Sequence, residues 1–132
     1  MAQVFKSDDG KLLKLPGRAS LEIVSGALGS SGVTLRKVEI PVASVGESPR
    51  SRHVHCDFEE CIYVLSGAGI TEADSGNYAL ESGDAIVIPA GENHATRNTG
   101  ATPLVLLCFF PVADITKSTL EPGAAKQDGA AR

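Results

Sequence analysis

The chain has 132 residues, a formal net charge of −4, 14 glycines, 7 prolines and three cysteines. That length makes one domain able to enclose a core without disulfide support, and a chain this acidic has no basic stripe to neutralise phosphates, which argues against a nucleic-acid partner. No apolar run approaches the ~20 residues a membrane-spanning helix needs, and the first ten residues lack the basic and apolar regions of a secretory signal.

Glycine and proline at this abundance fit many short strands joined by tight turns better than a helical bundle. Residues 1–18 read as an edge hairpin, with Val4-Phe5 and 12–15 flanking a Ser-Asp-Asp-Gly turn. Such a segment is suited to exchange with a neighbour's sheet in a dimer. A short strand over 21–24 and a turn at Gly29-Ser-Ser-Gly32 lead to residues 33–42, the first run with informative alternation. One parity holds Leu35, Lys37 and Glu39; the other holds Arg36, Val38, Ile40 and Val42. If the apolar parity faces inward, Arg36 sits at one end of the inner face, where its guanidinium either grips a substrate carboxylate or phosphate or reaches water. The polar loop 43–52, carrying Arg50 and Arg52, delivers the chain to His53.

All three histidines lie between His53 and Asn98. Side chains alternate faces in a strand, so His53 and His55 point the same way and can share one ion while Val54 points oppositely. Glu60 shares the inward parity of the next strand with Ile62 and Val64, which predicts Glu60, not Glu59, as the carboxylate ligand. His94 comes from a separate hairpin, because Pro89, Gly91 and Asn93 mark a tight connection after the apolar run 85–88. Imidazole nitrogens plus one carboxylate suit one divalent Fe, Mn, Ni, Co or Zn per subunit and disfavour calcium and magnesium. Four protein ligands on an octahedral ion leave two positions open, as a catalytic site requires.

The run 61–66 is apolar on both parities, as is 103–111, the most hydrophobic stretch of the chain. Burial on both faces in so small a domain predicts that one face meets another sheet or a second subunit, hence a homodimer. Between these runs, 68–71 and 77–80 form a hairpin, and Tyr63 and Tyr78 read as packing residues. Cys56, Cys61 and Cys108 are odd in number and contain no C-x-x-C, so they read as reduced thiols of a cytoplasmic protein. The single domain is expected to end at residue 115, with 116–132 a flexible tail rich in small and polar residues.

At these residues the sequence closely resembles the cupin superfamily. Its first motif, G(x)5HxH(x)3-4E(x)6G, is matched from His53 to Gly67 except at the leading glycine, where Glu47 stands beside Gly46; the second, G(x)5PxG(x)2H(x)3N, is matched from Gly83 to Asn98. The resemblance implies a small single-domain bacterial cupin, an all-β chain folded as an antiparallel jelly-roll β-barrel. It also implies His53, His55, Glu60 and His94 as metal ligands.

The pocket around the ion is expected to be lined by Arg36, Val38, Ile40, Ile62 and Thr96, mostly apolar with few polar anchors. The expected function is a metal-dependent enzyme acting on a small oxygen-rich organic molecule: dioxygenase-like first, lyase, decarboxylase or isomerase second. Glu60 is the one residue able to shift from ligand to catalytic base. The alternative is a binding or sensing module that captures a small ligand without turnover.

Overall fold

The computed structural model describes residues 1–47 and 50–120. Eleven strands follow in chain order: β1 (Lys11–Leu15), β2 (Arg18–Val24), β3 (Thr34–Ile40), β4 (Val54–His55), β5 (Glu60–Ser66), β6 (Ala68–Ala73), β7 (Gly76–Glu81), β8 (Ala85–Ile88), β9 (His94–Asn98), β10 (Leu104–Phe110) and β11 (Thr119–Leu120). All pairings are antiparallel, in a six-stranded sheet ordered β1-β2-β3-β10-β5-β8, a three-stranded sheet β7-β6-β9 and a ribbon β11-β4. This is the expected jelly-roll barrel. No helix among the described residues is long and apolar enough to cross a membrane.

The core lies on the inner face of the six-stranded sheet. Alternate residues Ile62 and Val64 of β5 and Leu104, Leu106 and Phe110 of β10 are buried to 3% exposure or less, and each such side chain contributes roughly 1.5–3 kcal/mol by leaving water. The opposite parity is only partly covered among the described residues. Tyr63, Leu65, Val87 and Phe109 are 40–56% exposed, so among the described residues β5 and β10 are not buried on both faces.

Two glycine and asparagine positions of the motifs have structural explanations. Gly67 turns β5 into β6 at φ 88°, and a Cβ there would lie 2.6 Å from the Pro103 carbonyl oxygen; only glycine meets both conditions. Buried Asn98 donates to the carbonyls of Ile40 (3.0 Å) and Thr102 (2.8 Å) and accepts from the Gly100 amide (2.8 Å), clamping the end of β9 to β3 and to the following turn.

Two boundaries differ from expectation. Val4-Phe5 is not a strand; residues 7–9 form a 3₁₀ turn closed by Gly10 N–H to the Ser7 carbonyl, and the first hairpin is β1–β2 instead. The reason is Pro16-Gly17, where a fixed proline φ is followed by Gly17 at φ 74°. The strand after it starts at Arg18 rather than 21. At the other end the fold continues past Ile115, because β11 pairs with β4 through Thr119 opposite His55. The remainder of the expected tail, 121–132, lies outside the described residues.

Candidate metal centre

The backbone brings the two histidine segments together directly. His53 donates its N–H to the His94 carbonyl and His94 donates back to the His53 carbonyl, both at 2.9 Å. The Gly91 amide, at φ 88° in the turn after Pro89, donates to the His55 carbonyl at 2.8 Å. Glu60 opens β5 and points inward with Ile62 and Val64, while Glu59 is exposed. His53, His55, Glu60 and His94 therefore converge, with one donor atom from each lying within 4.8 Å of all the others.

The rings are oriented by their outer nitrogens. His94 Nδ1 donates to the Glu92 carbonyl at 3.0 Å, which turns Nε2 to the centre, 3.1 Å from Glu60 Oε1. His55 Nε2 lies 3.1 Å from the same oxygen. Its Nδ1 sits 2.7 Å from Thr119 Oγ1, and that hydroxyl donates to the Ile115 carbonyl, which leaves Oγ1 to accept from Nδ1 when an ion occupies the Nε2 side. Phe58 stacks on the His55 ring and Phe110 meets it edge-on, each at 5.1 Å between centroids.

Burial alone would raise the pKa of Glu60, but hydrogen bonds from His55 and His94 outweigh it and hold the carboxyl well below the usual carboxylate range. Burial, reinforced by the His94 charge, pushes His53 down to about 3, with Arg50 among the smaller contributors. For His94 burial acts downward, yet the hydrogen bond and charge of Glu60 prevail and raise it. Without an ion, His94 thus donates from both nitrogens. Burial pushes the Cys108 thiol far up, and it remains a neutral donor toward Glu60.

This donor set fits a transition-metal ion. Two bonds of about 2.1 Å at a right angle place their donor atoms about 3 Å apart, matching the 3.1 Å spacings to Glu60. Three imidazoles and a carboxylate are the ligand chemistry of Fe, Mn, Ni, Co or Zn. An ion there would take the place of the His94 Nε2 proton while keeping the Nδ1 bond to Glu92.

Comparison with known proteins decides the family. A family model described as "Cupin domain" matches residues 38–110. The chain belongs to the cupin family. Protein SchB of Streptomyces halstedii is 34% identical over 71 residues, 54% of this chain and 51% of that protein, so this cupin spans about half the length of the curated relative. Among solved structures, oxalate decarboxylase of Lactobacillus farciminis superposes with TM-score 0.75 at 22% identity over 92% of this cupin and 36% of that chain. KdgF of a Halomonas species superposes with TM-score 0.67 at 20% identity over 86% of this cupin and 97% of that chain. At these identities the two structures show the shared fold.

The departure from the first cupin motif is small in structural terms. Gly46, one residue before the position held by Glu47, has φ 82° in a turn closed by Glu47 N–H to the Ser44 carbonyl. Beside these four side chains this cupin has a cavity of about 120 Å³, and its wall includes Arg36, Val38, Ile40, Ile62 and Thr96. Arg36 does not extend into water; it pairs with Glu22 at 2.9 Å. Arg50 lines the cavity, whereas Arg52 lies outside, 3.7 Å from Asp74. Ser20, Cys108 and Thr119 also line it and carry no motif signal.

Thr119 orients His55 in this cupin without contacting the ion position. Outer partners of this kind are worth about 10–100-fold in metal affinity, so Thr119→Val is expected to weaken uptake by that factor with the barrel intact. Competition against a metal-binding dye checks this, with circular dichroism as the control for folding.

Proposed function

We propose that this cupin is a metal-dependent enzyme acting on a small, oxygen-rich organic molecule, with one divalent Fe, Mn, Ni, Co or Zn per chain held by His53, His55, Glu60 and His94. The observation that carries this reading is the convergence of four metal-type donors on one side of a cavity. A volume of about 120 Å³ is below the roughly 150 Å³ that encloses benzene and far below the roughly 300 Å³ at which drug-sized ligand pockets begin. A ligand of a few heavy atoms fits that space; anything larger must extend through the mouth.

When bound, the metal supplies Lewis acidity and, as iron, redox chemistry. The chain contributes the rest. Val38, Ile40, Ile62, Leu106 and Phe110 supply the apolar part of the cavity wall, while the Thr96 hydroxyl is committed to Thr71 at 2.7 Å. Glu60 acts as a ligand, since a carboxyl held so far below its ordinary range is a weak proton acceptor. That weighs against the catalytic-base role also expected of it.

The test is turnover. The chain loaded separately with Fe(II), Mn(II), Ni(II), Co(II) or Zn(II) is offered α-keto acids, β-dicarbonyls and catechols, and products and dioxygen uptake are followed. Product formation with one metal, lost in His94→Ala, supports an enzyme, with dioxygen consumption marking the dioxygenase-type reaction and its absence a lyase or isomerase. Saturable binding without product assigns the sensing module instead.

The reading includes a homodimer formed through the exposed outer row of β5, β8 and β10, where Tyr63, Val87 and Phe109 give an apolar face. It also includes a cytoplasmic setting, in keeping with Cys56, Cys61 and Cys108 all being free thiols. Sedimentation equilibrium at twice the chain mass supports the dimer; a monomer at micromolar concentration removes it.

A further inference from the structure

The polar part of the cavity wall is cationic in an otherwise acidic chain. Three of the six arginines in the sequence, Arg18, Arg36 and Arg50, line it against one carboxylate, Glu60. Part of that wall, the stretch of sheet formed by β2 and β3, carries two donors that bear on the ligand. Ser20 Oγ and Arg36 Nε are buried without a hydrogen-bond partner among the described residues, and the Ser20 residue is only 1% exposed.

Both donors belong to one patch of sheet. Ser20 of β2 is paired with Val38 of β3, and Arg36 lies two residues from Val38 on the same inward face, within diagonal reach for a long side chain. Arg36 is held from behind. Its Nη2 donates to Glu22 Oε1 at 2.9 Å, and the other Glu22 oxygen accepts from Ser25 Oγ at 2.7 Å. With both Glu22 oxygens engaged, the guanidinium is fixed in place and its Nε–H is left over. A buried donor without an acceptor costs free energy comparable to a lost hydrogen bond, and charge-assisted bonds to an oxyanion recover the most.

Resting on the reading of this cavity as the ligand site, we propose that its ligand is a small organic carboxylate whose carboxylate end is received by Ser20 Oγ and Arg36 Nε. The Ser20 and Arg36 donors of this patch match the two carboxylate oxygens. A phosphate dianion brings more acceptors than the patch has free donors, and doubles the charge set against Glu22 and Glu60. The arginines around the cavity favour the anion over a neutral carbonyl compound of the same size, and the rest of the ligand extends toward the histidines.

The experiment is a heteronuclear NMR titration of the full chain, metal-free and zinc-loaded, with propionate, propionamide and inorganic phosphate. Propionate is expected to saturate and to shift the Arg36 Nε–H resonance, with propionamide and phosphate weaker. Ser20→Ala is expected to weaken propionate by about tenfold or more, as loss of a bond to a charged group does, while its thermal midpoint stays level or rises because an unpartnered hydroxyl has gone. Arg36→Lys keeps the charge opposite Glu22 but lacks Nε–H, and is expected to weaken propionate similarly. Equal affinity for propionamide, tighter phosphate, no saturation, or unchanged affinity in both variants overturns the inference. Zinc uptake at one ion per chain without any propionate response rejects the carboxylate site and leaves the metal reading standing. Propionate binding that depends on Ser20 and Arg36 in a chain taking up no metal supports the carboxylate site and rejects the metal reading.

Discussion

Glu60→Gln is expected to reduce metal affinity by well over the ~10–100-fold associated with outer-shell partners. One oxygen of Glu60 lies 3.1 Å from both His55 Nε2 and His94 Nε2, so the carboxylate occupies the centre of the donor set and supplies its only negative charge. Glutamine preserves the volume and removes that charge. The same substitution removes what raises His94, so the ring sheds a proton rather than remaining a buried, unpaired cation. Chelator competition should therefore show a collapse of affinity, while far-ultraviolet circular dichroism remains that of the parent. An affinity within tenfold of the parent means that Glu60 is not a ligand.

The second large effect is a stability maximum in the metal-free protein near pH 6.5. His53 has its ordinary value of 6.5 in the unfolded chain and about 3 in the fold. Between those limits the unfolded chain binds the additional proton, so stability rises with pH across the window. Glu60, lowered from 4.5, acts in the same sense: its contribution is present above 4.5 and is lost as pH falls through the folded value. His94 acts oppositely. Raised above 6.5, it contributes stability that is fully present below 6.5 and is lost as pH climbs through its folded value. Urea denaturation of chelator-treated protein across this range checks the shape, and His53→Gln is expected to flatten the acid limb. Because an ion takes over the place of the His94 proton, the metal-loaded protein should lose the alkaline decline. A profile indifferent to pH between 3 and 6.5 contradicts the burial of a neutral His53.

Much of the centre is legible in the sequence because strand parity and turn chemistry are local. His53 and His55 two positions apart, Glu60 in register with Ile62 and Val64, and the Pro89 to Gly91 turn before His94 each follow from a period of two or from a backbone angle. Their meeting is not local. It depends on reciprocal backbone bonds between His53 and His94, 41 positions apart in the printed numbering, and the cupin motifs signal that meeting without explaining it.

The residues that carry no signal fall where local composition misleads. Thr119 sits in a stretch of small and polar residues that reads as a tail, and its strand exists because β4 offers it an edge. Ser20 and Arg18 precede the apolar run 21–24, so alternation over 21–24 does not reach them. Extending the strand back to Pro16-Gly17 puts both on the inward parity with Glu22. The fate of Arg36 is equally non-local: Glu22 faces it through the β2–β3 register, which turns a side chain suited to water into part of the cavity wall.

The central claim is that four side chains hold one ion, and metal content per chain tests it most directly. Protein purified without an affinity tag is analysed by plasma mass spectrometry before and after equilibration with each candidate metal, beside His55→Ala and His94→Ala. The account predicts close to one iron, manganese, nickel, cobalt or zinc per chain in the parent and little in either variant. A parent that carries no metal and takes none up, or variants that retain it, would contradict the account.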